Sequence, residues 1–244
     1  RETVEAAARH IAKVDRKMGI LLQRLHVRSV PHLEPGEPPV GDGQLFRALV
    51  RGVAYQLISV ECGAAIMRRL FDACGGEAAC TPEAVLALGT KRLGPGVADQ
   101  GNVGFTGAKT RYVVGICHAM VRGELRADAL RKLSDRELCE RLCGLAGIGE
   151  WTAGVFMLHQ LKRANLMLYG DLNVRLALAD MYDLHSRVQG ARETEVSAAE
   201  DFPDTPANRD QLDRVLDKFR PYRSVVVHLM YYYREHQEAY LISG

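Results

Sequence analysis

The sequence predicts an all-α fold, and three observations support this prediction. Apolar residues recur at helical spacing over residues 2–26 and 44–74, no segment alternates as a half-buried strand would, and helix-start signals recur along the chain. The apolar positions of the second run include Leu45, Leu49, Val53 and Leu57.

Two start signals predict helices in the middle of the chain. Thr81, followed by a proline, is typical of an N-cap with proline at the first helical position, and it predicts a helix over 82–88. Ser134 with Glu137 three residues later matches a capping box, which predicts a helix over 134–143. Between the helical runs, clusters of glycine, proline and polar residues predict loops. These loops cover residues 30–43, 89–107 and 185–207.

Length, charge and cysteine usage limit the possible functions. A chain of 244 residues suits one compact domain or two lobes. Its net charge of +2 means that any affinity for nucleic acid must come from a local basic surface. The six cysteines form no Cys-x-x-Cys pair, and we expect reduced thiols in an intracellular protein. No apolar run approaches the roughly 20 residues of a membrane-spanning helix.

The stretch LAGIGEWTAG, residues 145–154, predicts a hairpin between two helices, of which the second runs from Trp151 to Lys162. Gly147 and Gly149 permit positive φ and leave amide N–H groups uncovered, which favours binding of an anion. The N-terminus of the second helix adds partial positive charge that suits a phosphate. On spacing alone, an ordinary glycine C-cap between two helices explains the stretch equally well.

Asp171 follows Gly170 and precedes an apolar helical pattern within residues 169–182. Aspartate is a favoured N-cap, and capping alone would account for it. An aspartate at a helix N-terminus is also held ionised, which suits a catalytic carboxylate.

Five motifs occur in the order YQLISVECGAA (55–65), GFTGAKTRY (104–112), GIGEWTA (147–153), GDLNVR (170–175) and PYRS (221–224). Together they resemble the helix-hairpin-helix DNA glycosylase superfamily, specifically its 3-methyladenine DNA glycosylase II branch. Leu57 stands where this branch has the second glutamine of a Gln-Gln-Leu-Ser stretch.

The resemblance implies a two-lobed helix-hairpin-helix glycosylase fold, with a central lobe at 44–165, a second lobe made of 1–43 and 166–244, and an active-site cleft between the lobes. It implies a monomer that acts on double-stranded DNA containing damaged bases, in the nucleus of a eukaryote or in the cytoplasm otherwise. No metal site or required cofactor is expected, although the hairpin is compatible with a structural monovalent cation.

The implied reaction is hydrolysis of the N-glycosidic bond of alkylated purines such as 3-methyladenine. Asp171 would stabilise the oxocarbenium-like sugar and orient or deprotonate water. Trp151, Tyr222 and Tyr112 are candidate walls of the base pocket, with core packing as the alternative. Phe105 is the candidate for the group inserted into the DNA when the base is flipped out, and core packing is again the alternative.

Contacts with DNA are expected to be mainly to phosphates, which position a protein without reading sequence. The candidates are Gly147, Gly149, Thr152, Lys109 and Arg175. Arg175 lies one helical turn after Asp171, so an ion pair within the helix is an alternative role.

Trp151 occupies the position where bifunctional relatives carry a lysine nucleophile, so the resemblance implies a hydrolase without lyase activity. Some relatives hold an iron–sulfur cluster on four C-terminal cysteines, and we expect no such cluster here because no cysteine follows Cys143 in the sequence. Two other functions stay open from the sequence. One is a non-catalytic helix-hairpin-helix module that binds damaged DNA, and the other is a glycosylase/lyase for oxidised purines.

Overall fold

The computed structural model describes residues 2–24, 41–96, 101–184 and 202–236, and within these ranges every regular element is a helix. The prediction of an all-α fold is therefore confirmed. In chain order the helices are α1 Glu2–Val14, α2 Arg16–Arg24, α3 Asp42–Ala54, α4 Val60–Cys74, α5 Pro82–Leu93, α6 Gly107–Val121, α7 Ala127–Lys132, α8 Asp135–Cys143, α9 Glu150–His159, α10 Leu172–Tyr182, α11 Pro206–Leu216, a short 3-10 helix Asp217–Phe219, and α12 Arg223–Glu235. None of the helices in the described ranges has the length and apolar character needed to cross a bilayer.

The chain divides into two compact units. The first, which we call the hairpin unit, is Glu37–Leu161. The second, which we call the carboxylate unit, combines Arg1–Gly36 with Lys162–Gly244.

The hairpin unit is organised around α9. Its buried residues point in several directions around the helix, so α9 faces protein on most of its circumference. α9 packs against α3 and α8, α3 also contacts α4 and α6, and α5 packs along α6. The hairpin that leads into α9 is therefore anchored at the core of its unit.

The carboxylate unit is organised in the same way around α10. Nearly every residue of α10 from Val174 to Met181 is buried. α12 and α11 pack against α10, while α2 packs against both α1 and α12. The N-terminus of α10, where Asp171 lies, is consequently supported by the core of this unit.

The helix starts predicted from capping patterns are confirmed. The Thr81 hydroxyl accepts a hydrogen bond from the N–H of Ala84, and regular helix runs to Gly89, which adopts φ +72° and interrupts α5. At α8 both capping-box bonds form, because the Ser134 hydroxyl accepts from the Glu137 N–H and the Glu137 carboxylate accepts from the Ser134 N–H. The predicted start at residue 134 is thus the N-cap of α8.

The two long periodic runs are each split into two helices. Residues 2–24 form α1 and α2, and residues 44–74 belong to α3 and α4. Leu45, Leu49 and Val53 are buried as their spacing predicts, but α3 ends at Ala54. The predicted loops 30–43 and 185–207 lie mostly outside the described residues, as do residues 97–100 of the predicted loop 89–107.

Candidate functional site

The hairpin between α8 and α9 is held together by one glycine and one isoleucine. Ile148 is buried, and its N–H donates to the Leu145 carbonyl at 3.1 Å. Gly147 adopts φ +84°, and a Cβ at this position would lie 2.1 Å from the ring of Tyr112. Both the backbone conformation and the close aromatic ring therefore require glycine here.

Gly147 and Gly149 use the freedom of glycine differently. Gly147 adopts the positive φ that glycine permits, whereas the backbone of Gly149 is extended, with φ −93° and ψ 177°. Gly149 is the N-cap of α9 and supplies no capping side chain. The positive end of α9 is thus left without a capping side chain at this position, which suits an incoming phosphate oxygen.

Trp151 and Thr152 in the first turn of α9 face different surroundings. Trp151 is 42% exposed, an unusual degree for a large apolar side chain. Thr152 is buried, and its hydroxyl accepts a hydrogen bond from the Gln56 amide at 3.1 Å. The Thr152 hydroxyl is therefore used within the unit, and the contact of Thr152 with DNA at the start of α9 stays a prediction.

The loop between α3 and α4, residues 55–59, is joined to the hairpin by Gln56. The Gln56 amide nitrogen donates to the Gly147 carbonyl at 2.8 Å as well as to Thr152. The next residue, Leu57, has φ +55° and is 103% exposed. The helical spacing that includes Leu57 does not correspond to helix at this position, because α3 ends three residues earlier. We call residues 55–59 the Leu57 loop.

Lys109 supports the Leu57 loop from inside the unit. Its ammonium group donates to the carbonyls of Ala54 at 2.8 Å and Gln56 at 2.7 Å, and its side chain is buried. Burial lowers the pKa of Lys109. The predicted contact of Lys109 with DNA is therefore corrected, since the ammonium group is already engaged by backbone carbonyls.

Phe105 is fully buried, at 0% exposure, which contradicts its predicted insertion into DNA. The reason is backbone pairing that holds its segment against the end of α5. The N–H of Phe105 donates to the Leu93 carbonyl at 3.1 Å, and the N–H of Val103 donates to the Arg92 carbonyl at 2.9 Å. Phe105 therefore packs in the core, which is the alternative that the sequence left open.

In the carboxylate unit, Asp171 caps α10 as predicted. Its Oδ1 accepts from the Val174 N–H at 3.1 Å, and the residue is only 6% exposed. A second donor, which no motif in the sequence predicts, is Tyr231 on α12, whose hydroxyl donates to Asp171 Oδ2 at 2.8 Å. Burial and the neighbouring Asp171 charge raise the pKa of Tyr231. Position 231 lies within a run of three tyrosines, and nothing in that run distinguishes it.

Arg175 is buried, and its guanidinium donates to two backbone carbonyls. Nε contacts the Phe202 carbonyl at 2.9 Å and a terminal nitrogen contacts the Tyr169 carbonyl at 2.6 Å. The expectation that Arg175 binds DNA phosphate is therefore corrected. It holds together the segments on either side of α10.

The two tyrosines predicted to line a base pocket are both partly buried. Tyr222, the N-cap of α12, makes an edge-to-face contact with His10 at a centroid distance of 5.6 Å. Tyr112 lies against Gly147, so packing of the hairpin accounts for its ring. Across the described ranges, no group of three or more His, Cys, Asp or Glu side chains could hold a metal ion.

Comparisons with known proteins find a family and several relatives. The model of the HhH-GPD superfamily of base excision DNA repair proteins matches residues 50–203. DNA-3-methyladenine glycosylase 1 of Schizosaccharomyces pombe is 27% identical over 131 residues, which are 53% of this chain and 54% of the relative. DNA-3-methyladenine glycosylase of Bacillus subtilis is 27% identical over 127 residues, which are 50% of this chain and 41% of the relative. These matches span about half the length of the relatives.

Solved structures show the same fold. The S. pombe 3-methyladenine DNA glycosylase in complex with abasic DNA has a TM-score of 0.63 at 20% identity, covering 92% of this chain and 95% of that one. A DNA-3-methyladenine glycosidase from Bacillus halodurans has a TM-score of 0.60 at 21% identity, and the match covers 80% of this chain and 77% of that one. At such identities the likeness establishes the fold alone.

The hairpin geometry makes a prediction for its two glycines. Gly147→Ala should lower the free energy of unfolding by about 2 to 5 kcal/mol, because it adds both an unfavourable positive φ and an overlap with the Tyr112 ring. Gly149→Ala, whose Cβ would meet no atom within 4 Å, should cost less than about 1 kcal/mol. Urea unfolding of both variants measures the difference. Equal losses would contradict this account of the hairpin.

Proposed function

The chain belongs to the HhH-GPD superfamily of base excision DNA repair proteins, and we propose that it is a monofunctional DNA glycosylase that releases alkylated purines of the 3-methyladenine type. The observation that carries the proposal is the buried carboxylate of Asp171 at the N-terminus of α10, within the GDLNVR motif. The names of two relatives, both 3-methyladenine glycosylases, support the choice of substrate. The fold neighbour bound to abasic DNA supports DNA as the partner.

The proposed reaction breaks the bond between C1′ of the sugar and the purine nitrogen. The bonding electron pair leaves with the base and neutralises the positive charge that alkylation placed on the purine. The sugar passes through an oxocarbenium-like state, water forms the new C1′–O bond, and a proton leaves that water. A glycosidase usually needs a second carboxyl group to protonate its leaving oxygen. A cationic purine departs neutral without such an acid, so one carboxylate suffices.

The electrostatic contribution of Asp171 would exceed that of an aromatic wall. At about 4 Å and an effective dielectric constant near 20, a carboxylate stabilises a developing cation by about 4 kcal/mol, which is roughly a thousandfold in rate. A cation–π contact contributes about 0.5 to 2 kcal/mol. Asp171 is therefore the residue proposed to accelerate the reaction. Trp151, with its exposed ring, and Tyr222 are proposed to select electron-poor bases.

We propose Leu57 as the group that enters the DNA stack in place of the expelled base. A side chain with this role must project from the surface, and Leu57 is fully exposed on a loop held by Gln56 and Lys109. Apolar side chains are well suited to the space between stacked bases. The amide groups around Gly147 and Gly149, in the same unit, are proposed to bind phosphate.

Asp171→Asn should reduce release of methylated purines by about a thousandfold, because it removes the charge and keeps the shape. Asp180→Asn is the matched control, since Asp180 is also on α10 and also accepts from a tyrosine of α12, the Tyr233 hydroxyl at 2.6 Å. Its rate should stay near that of the wild type. Mass spectrometry of the bases released from methylated duplex DNA measures both variants. Near-normal turnover by Asp171→Asn would refute the mechanism, and DNA binding without base release by the wild type would indicate a non-catalytic module.

Leu57→Ala should slow base release by about tenfold and leave the free energy of unfolding almost unchanged, because the side chain makes its contribution in DNA and not in the core. Val121→Ala removes another exposed apolar side chain of the hairpin unit, at the end of α6, and should leave both quantities unchanged. Single-turnover kinetics on methylated duplex DNA and urea unfolding make the comparison. Equal rates for the two variants would remove Leu57 from this role.

No covalent adduct should form when the protein is treated with borohydride on DNA that contains a damaged base. A lyase forms a Schiff base between a lysine and the sugar, and borohydride reduces it to a stable adduct. Trp151 occupies the position of that lysine in the bifunctional relatives. Denaturing gel electrophoresis of the protein after reaction with labelled DNA shows any adduct. A trapped complex would instead favour a glycosylase/lyase.

A further inference from the structure

Both oxygens of the Asp171 carboxylate are held by donors from two different helices. Oδ1 accepts from the Val174 N–H at 3.1 Å within α10, and Oδ2 accepts from the Tyr231 hydroxyl at 2.8 Å on α12. Rotation about the Cβ–Cγ bond moves both oxygens together, so the backbone bond restrains it from one side. The Tyr231 hydroxyl restrains it from the other side, and with it the direction in which the carboxylate presents its remaining lone pairs.

Burial makes this second bond important for the charge as well as for the orientation. Asp171 is 6% exposed, and a carboxylate withdrawn from water needs hydrogen-bond donors to compensate for its lost solvation. Burial and the adjacent carboxylate raise the pKa of Tyr231, so its hydroxyl keeps its proton and stays a donor at neutral pH. The bond is therefore present under the conditions in which a repair enzyme works.

The same two helices carry a second pair of the same kind. Tyr233 on α12 donates its hydroxyl to Asp180 Oδ2 at 2.6 Å, near the opposite end of α10. Both tyrosines are partly buried. The two pairs differ in one respect that matters here: only Asp171 lies at the helix N-terminus and in the motif to which the proposed reaction is assigned.

We propose that Tyr231 is a positioning residue for Asp171, which orients the carboxylate for the proposed base release. This inference rests on the proposed function. It predicts that the hydroxyl of Tyr231 acts on the rate of bond cleavage and not on the affinity for DNA. It also predicts that Tyr231 acts only through Asp171.

The test compares Tyr231→Phe with Tyr233→Phe, because each keeps the ring and removes one hydroxyl. Single-turnover release of 7-methylguanine and 3-methyladenine from methylated duplex DNA should be about 10- to 100-fold slower for Tyr231→Phe, the range expected for losing a hydrogen bond to a charged group. For Tyr233→Phe it should change by less than about twofold. Binding to duplex DNA with an abasic-site analogue should be unchanged in both variants.

A double-mutant cycle separates positioning from general support of α12. In the Asp171→Asn background, Tyr231→Phe should change the residual rate by less than about twofold, because the carboxylate it orients is no longer present. Circular dichroism at the assay temperature establishes that all variants are folded.

The outcomes distinguish the inference from the function on which it rests. If the wild type is active and Asp171→Asn is not, an unchanged rate for Tyr231→Phe overturns the inference alone. The inference is also overturned if Tyr231→Phe and Tyr233→Phe slow base release equally. It is overturned as well if Tyr231→Phe has its full effect in the Asp171→Asn background. Either result assigns Tyr231 to helix packing. If the wild type releases no base, the proposed function and this inference fail together.

Discussion

The buried carboxylate of Asp171 is the constraint on which the carboxylate unit depends. A charge withdrawn from water needs donors at fixed positions, so α10 and α12 must keep one register relative to each other. Ser224, at the start of α12, fixes the chain that leads towards Asp171, because its hydroxyl accepts from the Leu166 N–H at 2.9 Å and donates to the Arg163 carbonyl at 2.5 Å. This explains the serine of the PYRS motif as a structural residue. Tyr231 later in the same helix completes the support.

In the hairpin unit, hydrogen bonds from side chains likewise hold one segment in an unfavourable conformation. Its Leu57 loop exposes an apolar side chain in a left-handed conformation, which is unfavourable for leucine without support. The support comes from side chains that donate to backbone carbonyls, with Lys109 below the loop and Gln56 between the loop and Gly147. In both units, a basic side chain that the sequence predicts to contact DNA instead donates to backbone carbonyls. These side chains are Lys109 in the hairpin unit and Arg175 in the carboxylate unit. Among the candidate groups of the hairpin unit, those that lie at the surface are the Leu57 side chain, the Trp151 indole ring and the N-terminus of α9.

Features determined by neighbouring residues could be predicted from the sequence, and features determined by distant ones could not. The caps at Thr81, Ser134 and Asp171 depend on an N–H three residues away, so their patterns are visible locally. Lys109 and Tyr231 find their partners 53 to 60 residues away, and no local spacing reveals them. A lysine within the GFTGAKTRY motif is expected to be exposed to solvent. Only the tertiary structure shows that Lys109 is buried. The end of α3 at Ala54 is not visible in the sequence either, because the apolar spacing continues past it.

A carboxylate whose two oxygens are both held in place is well suited to stabilising a cation at a fixed position. The two hydrogen bonds that Asp171 accepts each occupy a lone pair and hold the carboxylate in one orientation. Under the proposed function, the positive charge on the alkylated purine supplies the driving force for bond cleavage, and a fixed charge near the sugar lowers the remaining barrier without reorganising. Discrimination between damaged and normal purines then follows from the leaving group itself, because an uncharged purine would need an acid. The two tyrosine bonds to α10 differ in one way under the proposed function, since only the bond to Asp171 holds a carboxylate to which the proposed reaction is assigned.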